Sequence, residues 1–229
     1  MTIPPKHRKG RQGELLEIYE KLTGYFGDLH WWPAAEPFEM MVGAILTQNT
    51  AWRNVEKAIT ALREKNLLAP AALFHLPEDQ LAQIIRPSGY YHRKAERLKA
   101  FVRFVMEEYG GSISEMSLEE LPGLRDKLLG VRGVGPETAD SILLYGCRKP
   151  VFVSDAYTRR ILLRHGIIGE DADYREIQSL FMDHLPPDLY LFNQFHAMIV
   201  NTGKGFCRKT PKCAGCPLAI LLSGKGDPS

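Results

Sequence analysis

Apolar residues recur along this chain every three or four positions, the period of helices that pack by one face. In residues 13–26, Leu15, Leu16, Ile18, Tyr19 and Leu22 make such a stripe. Residues 37–47, PFEMMVGAILT, are apolar nearly all round and predict a central buried helix. Residues 51–65 put Val55, Ile59 and Leu62 on one face, and residues 77–85 and 91–110 predict two more helices. The second of these has a basic face of Arg93, Lys94, Arg97, Lys99 and Arg103. Residues 117–131 open on Ser117 with Glu120 three positions on, the spacing of a capping box. Residues 136–146 start with proline at the first helical position and stop at glycine. Helical stretches at 155–166, 173–185 and 188–203 complete the set. The one strand-like run, PVFVSD at 150–155, is too short to make a sheet. The pattern therefore predicts an all-α protein of about ten short helices. The basic first twelve residues and the tail SGKGDPS are expected to be mobile.

The densest punctuation lies at residues 130–140, GVRGVGPETAD. A helix, the turn Gly133-Val134-Gly135 and a helix opened by Pro136 predict a helix–hairpin–helix over about 120–146. Glycine suits such a turn because a β-carbon opposes its backbone angles. Bare backbone also lets a phosphate reach the N–H groups at the next helix's N-terminus, with Val134 pinning the hairpin to the core. The result would be a phosphate clamp that does not read sequence. A plain helix–turn–helix corner with glycine caps uses the same three residues, so the turn alone does not decide.

Composition narrows the class. The chain has 229 residues, enough for one large domain or two small ones, and 45% of them are hydrophobic. No apolar run approaches the roughly 20 residues that cross a bilayer, and the basic N-terminus has no apolar core behind it, so neither a membrane span nor a secretion signal is expected. The expected location is cytoplasmic, on the nucleoid if the source is bacterial. The net charge of +2 leaves room for a basic face but does not demand one. Of the four cysteines, Cys207, Cys213 and Cys216 lie within ten residues, which points to a metal or cluster site more than to a disulfide.

Taken together, PFEMMVGAILTQNT, SGYYHRKAERL, LLGVRGVGPETAD, VFVSDAYTRRIL and the C-terminal cysteines resemble the helix–hairpin–helix (HhH-GPD) DNA glycosylases, specifically the endonuclease III branch. The resemblance runs from about residue 13 to 218. It implies two helical domains with DNA bound in a cleft: a six-helix barrel at 37–154, and a second domain from 1–36 with 155–229. It also implies removal of a damaged or mismatched base, flipped out of the duplex into a pocket. Asp155 falls at the position of the family's carboxylate, which stabilises the positive charge left on the sugar. An aspartate before a helix is also a good N-cap, and both roles fit one residue. In bifunctional members a lysine stands two residues after the hairpin's last glycine and forms a Schiff base with the sugar. Here that position is Glu137. A carboxylate cannot do this, so the resemblance implies a monofunctional enzyme with water as nucleophile.

By the same resemblance, Gln48 fills the gap left by the flipped base, Tyr90 is the intercalating wedge, and Gly133, Val134, Gly135 and Thr138 belong to the DNA clamp. All three tryptophans lie near the barrel entrance: Trp31 and Trp32 in HWWPAAEPF, and Trp52 after TQNT. This resembles the 3-methyladenine DNA glycosylases of the branch. Trp31 or Trp32 with Trp52 would stack on a positively charged alkylated purine. Tryptophans in ordinary core packing are the alternative. Iron–sulfur members of the family space four cysteines as C-x6-C-x2-C-x5-C. This chain has C-x5-C-x2-C and then Leu222 at the fourth position. A 4Fe-4S cluster, zinc and a cluster-free remnant all stay open. Competing readings are a uracil or thymine mismatch glycosylase, a glycosylase/AP lyase, and a non-catalytic DNA-binding protein. The expected partner is double-stranded DNA carrying a damaged base, bound by a monomer.

Overall fold

The computed structural model describes residues 10–29, 31 and 36–221. The tail SGKGDPS, Trp32, Leu222 and residues 1–9 of the expected mobile N-terminus lie outside them. Among the described residues every regular element is a helix and there are no strands. None of its helices is long and apolar enough to cross a membrane.

The chain divides into two units. One spans Trp32–Pro150, and the other joins Met1–Trp31 to Val151–Ser229. The sequence reading had drawn its barrel at 37–154. The unit Trp32–Pro150 holds α2 (Pro37–Leu46), α3 (Trp52–Glu64), α4 (Pro70–His75), α5 (Glu78–Ile84), α6 (Tyr91–Tyr109), α7 (Ile113–Leu118), α8 (Leu121–Gly130) and α9 (Pro136–Ser141). α9 continues as a wider π-helical turn over Ile142–Gly146. The discontinuous unit holds α1 (Arg11–Phe26), α10 (Ala156–Arg164), α11 (Tyr174–Met182) and α12 (Leu189–Gly205). α1 starts at Arg11, inside the stretch expected to be mobile.

α2 is the central buried helix of its unit. Met41, Val42, Ile45 and Leu46 are fully excluded from solvent. Burial of such side chains stabilises by roughly 1.5–3 kcal/mol each. It packs against α3, α6, α9 and the π turn. In the discontinuous unit, α12 packs on both α1 and α10. Phe152, in the extended run before α10, stacks on Phe181 at 3.6 Å. Gln178 donates to the Phe152 carbonyl, so PVFVSD is held as a buried extended segment rather than a strand.

Two local expectations fail. Ser117 is not a cap. It lies inside α7 and its Oγ donates to the Ile113 carbonyl. The cap of α7 is Ser112, which accepts from Glu115 N. α8 starts later, at Leu121 with Pro122 in its first turn, because a proline there needs no N–H partner. A true capping box sits instead on α11, where Asp173 and Glu176 satisfy each other's backbone N–H.

The second failure is the basic face of α6. Lys94 is 2% exposed and donates to the Leu46 carbonyl at 2.8 Å and the Ser88 carbonyl at 2.6 Å. Burial, with Arg97 nearby, lowers its pKa to about 8. Lys99 donates to the carbonyls of Leu73, Phe74 and Leu76, the negative C-terminal end of α4. Both lysines are committed to the protein's own backbone rather than to an exposed basic face.

Candidate active site and nucleic-acid interface

The hairpin is built as the glycine pattern predicts. α8 and α9 are tied by Arg125, whose Nε and Nη2 donate to the two oxygens of fully buried Asp140 at 2.7 and 3.0 Å. Gly133 takes φ +84°, and Val134 is buried with its N–H on the Val131 carbonyl. A β-carbon on Gly133 would overlap the Arg97 side chain. Gly135 caps α9, with Pro136 and Glu137 in its first turn.

Gln48 lies against this turn. Its Nε2 donates to the Gly133 carbonyl at 3.2 Å and to Thr138 Oγ1 at 2.9 Å. Its Oε1 accepts from Arg97 Nη1. Gln48, Gly133, Val134, Gly135, Glu137 and Thr138, chosen from sequence, thus line one open cavity of about 510 Å³, with Thr47, Asn49, Arg97 and Ser141. Arg97, expected only as part of the basic face of α6, is a further member. It belongs to the hairpin, because α6 runs under the turn where glycine leaves room.

Tyr90 is 70% exposed and holds φ +46°, a conformation costly for a bulky residue. It directly precedes α6. Lys94 ties the adjoining backbone at Ser88 to the end of α2, which fixes the presentation of that ring. Trp52 is the first residue of α3 and half-buried.

The discontinuous unit carries Asp155, at the N-cap of α10. Its Oδ1 accepts from Thr158 N at 2.7 Å and from Thr158 Oγ1 at 2.9 Å. Its Oδ2 lies 3.6 Å from His196 Nε2 on α12. Burial pushes the Asp155 pKa up, but His196 and the two Thr158 donors outweigh it and hold the carboxyl below its ordinary value. Capping and an ionised carboxylate therefore coexist in one residue. Trp31, in the same unit, is half-buried with Lys204 Nζ 5.6 Å from its ring centre. Trp32 lies outside the described residues.

The three cysteines of the C-terminal loop line one cavity. Cys207 is buried, Cys213 exposed, and Cys216 half-buried with its thiol pKa raised by burial. Among the described residues, no three His, Cys, Asp or Glu side chains gather closely enough to hold a metal ion. Arg164 Nη1 donates to Cys207 Sγ at 3.2 Å and to the Arg208 carbonyl, and its Nη2 to the Lys209 carbonyl. Arg160 donates to the carbonyls of Cys207 and Gly203. The cavity these cysteines line has a volume of about 30 Å³. An iron–sulfur cluster takes four ligands, and the chain places Leu222 where the fourth cysteine would stand. Cys147 belongs to the other unit, buried after the π turn, with its thiol pushed up to about 11 by burial.

Residues 42–187 match the HhH-GPD superfamily of base excision DNA repair proteins. This chain belongs to that superfamily. It is 46% identical, over 92% of its length and 96% of the relative's, to a Methanocaldococcus jannaschii protein with a provisional DNA repair glycosylase name. It is 32% identical to Thermotoga maritima endonuclease III, over 79% of this chain and 80% of that one. Among solved structures, H. pylori 3-methyladenine DNA glycosylase bound to 1,N6-ethenoadenine is 28% identical. It matches with a TM-score of 0.73 over 85% of this chain and 97% of the other. The HhH-GPD membership gives the class: base excision repair by a DNA N-glycosylase with the two-domain helical fold.

Proposed function

We propose that this HhH-GPD protein is a monofunctional DNA glycosylase that hydrolyses the N-glycosidic bond of alkylated purines, 3-methyladenine being the type case, and leaves an abasic site. The observation that carries the reading is Glu137. It stands in the hairpin cavity beside Gln48 and Thr138, at the position where lyase members of the family carry lysine. Without that amine no Schiff base forms there, and the strand stays uncut.

An alkylated purine is already a cation and hence an activated leaving group. When the C1′–N bond breaks, its electron pair passes to the purine and neutralises it. The positive charge moves to the sugar, where ionised Asp155 stabilises it. Water then bonds to C1′ and gives up a proton to Asp155 or to solvent. Trp31 supports the choice of a cationic base, because its ring already attracts a cation in Lys204. Trp52, and Trp32 beyond the described residues, are the further stacking candidates. The name of the H. pylori neighbour points to the same substrate class. Gln48 fills the vacated base position, Tyr90 wedges the duplex, and the Gly133–Gly135 turn with Thr138 holds phosphate. The protein works as a monomer on cytoplasmic DNA.

The test is base release from duplexes carrying one 3-methyladenine, one uracil or thymine opposite guanine, or one oxidised pyrimidine. Strand cleavage is scored before and after alkali, with borohydride trapping in parallel. Release of the alkylpurine, with cuts only after alkali and no trapped adduct, is expected. Asp155→Asn should lower release by about 10²–10³-fold. A trapped adduct would overturn the monofunctional reading. Release only from mismatches would replace the substrate class.

A further inference from the structure

α12 is the most apolar helix of its unit, and His196 sits in its middle with Phe195, Ala197, Met198 and Ile199 on either side, all buried. A polar ring in such a run is tolerated only where it serves a partner. This one presents Nε2 to Asp155 Oδ2 at 3.6 Å, on the oxygen that Thr158 does not occupy. Both side chains are nearly closed to solvent, at 7% and 11% exposed. The Phe152 ring stands edge-on to the imidazole, 6.4 Å away, and backs it from the segment before α10.

Asp155 has opposing demands on it. It must be buried, so that its charge acts on the sugar through a low dielectric. Burial also favours the neutral acid, which stabilises no cation. Both Thr158 donors serve Oδ1. Nothing from α10 itself is seen to hold Oδ2.

We propose that His196 is a positioning residue for Asp155: it holds Oδ2 in orientation and keeps the carboxylate ionised where the sugar's charge develops. This rests on the reading of Asp155 as the catalytic carboxylate. The gap of 3.6 Å is longer than a hydrogen bond, and a small turn of the ring closes it when DNA fills the site. The side chains acting on the carboxylate are His196 from α12 and Thr158 from α10, with Phe152 against the ring. Their combined effect is the lowered Asp155 pKa.

The experiment compares wild type, His196→Phe, His196→Gln and Asp155→Asn. Single-turnover base release is followed from neutral pH down to the lowest pH at which each stays folded, with DNA affinity and melting temperature in parallel. In His196→Phe the rate should fall about 10–100-fold, as for partners that act through another residue. Its acid limb should move to higher pH, since burial then acts unopposed on Oδ2, while DNA affinity holds. His196→Gln keeps a donor and should recover most of the rate and the low-lying limb. A wild-type profile in His196→Phe would overturn the proposal. So would a Gln variant as impaired as Phe, with an unmoved limb and matching loss of melting temperature. Asp155→Asn separates the two readings. If it stays active, the role given to Asp155 fails. If it is inactive while both His196 variants are normal, only this inference fails. Should His196→Phe not fold, the wild type decides: the ¹³C signal of the Asp155 carboxyl must respond to titration of the His196 ring, and an insensitive signal overturns the pairing.

Discussion

Gly133 meets two constraints at once. Its φ of +84° is a region that side chains rarely adopt, and the space a β-carbon would need is held by Arg97. Arg97 in turn donates to Gln48, which donates to the Gly133 carbonyl and Thr138. Gly133→Ala should therefore cost about 1–2 kcal/mol for the left-handed backbone alone. It should also weaken DNA binding, because Arg97 must leave Gln48. Gly130, at the end of α8, has open space around it and no such backbone demand. Gly130→Ala should leave binding unchanged and stability within about 1 kcal/mol of wild type. Denaturant unfolding and anisotropy with labelled duplex check both. The turn glycines and Gln48 were legible in the sequence because local backbone need and the family resemblance fix them. Arg97 and His196 were not legible as partners. Each acts across tens of residues, and an isolated arginine or histidine carries no spacing signal.

At the scale of the element, α6 shows what periodicity does reveal when it is followed strictly. Lys94, Leu98, Phe101, Val102 and Val105 are all buried. They lie at i, i+4, i+7, i+8 and i+11, one continuous inward stripe, so Lys94 was legible as an inward residue. Counting basic residues obscured it. The cysteine loop is the opposite case. Its residue types advertise a cluster, but its first spacing is one residue short and it has no fourth cysteine. Arg160 and Arg164 on α10 bind the loop through four donations, to the carbonyls of Cys207, Arg208 and Lys209 and to the Cys207 thiol, and Arg160 also donates to Gly203 within α12. We propose that these two guanidiniums do the holding and that the loop carries no iron–sulfur cluster. Protein purified without oxygen should then contain no stoichiometric iron or acid-labile sulfide, and Cys213→Ser should leave base release and melting temperature unchanged. Stoichiometric iron and sulfide would overturn this. Arg164→Ala should lower stability by about 1.5–3 kcal/mol, the range for hydrogen bonds from a charged donor.

For the whole molecule, chain order sets a folding problem. α1 belongs to the same unit as α10 to α12, yet the other unit is inserted between them. The ties that close the discontinuous unit, from Asp28 to Gln194 and Tyr190 and from Leu29 to Gln194, span more than 160 residues. The inserted unit needs shorter closures, such as Gln48 to Thr138 across 90 residues. Non-local contacts carry loop-closure entropy before they return any stabilisation, so the contiguous unit should fold first. Its folding also shortens the remaining loop. α2 packs on the π turn, and Gly146 lies against Met41, so the two ends of the insertion come together. After that, the chain between α1 and Val151 is effectively short. Pulse-labelled hydrogen exchange during refolding should therefore protect α2, α6 and α8 before α1. Leu128→Ala in the inserted unit should delay protection of α1. Leu22→Ala, which opens the core beneath α1 and should cost about 2–5 kcal/mol, should leave the early protection of α2 and α6 unchanged. Simultaneous protection of α1 and α2 in wild type would show that the two units fold as one, and the order argued from sequence separation would then be wrong.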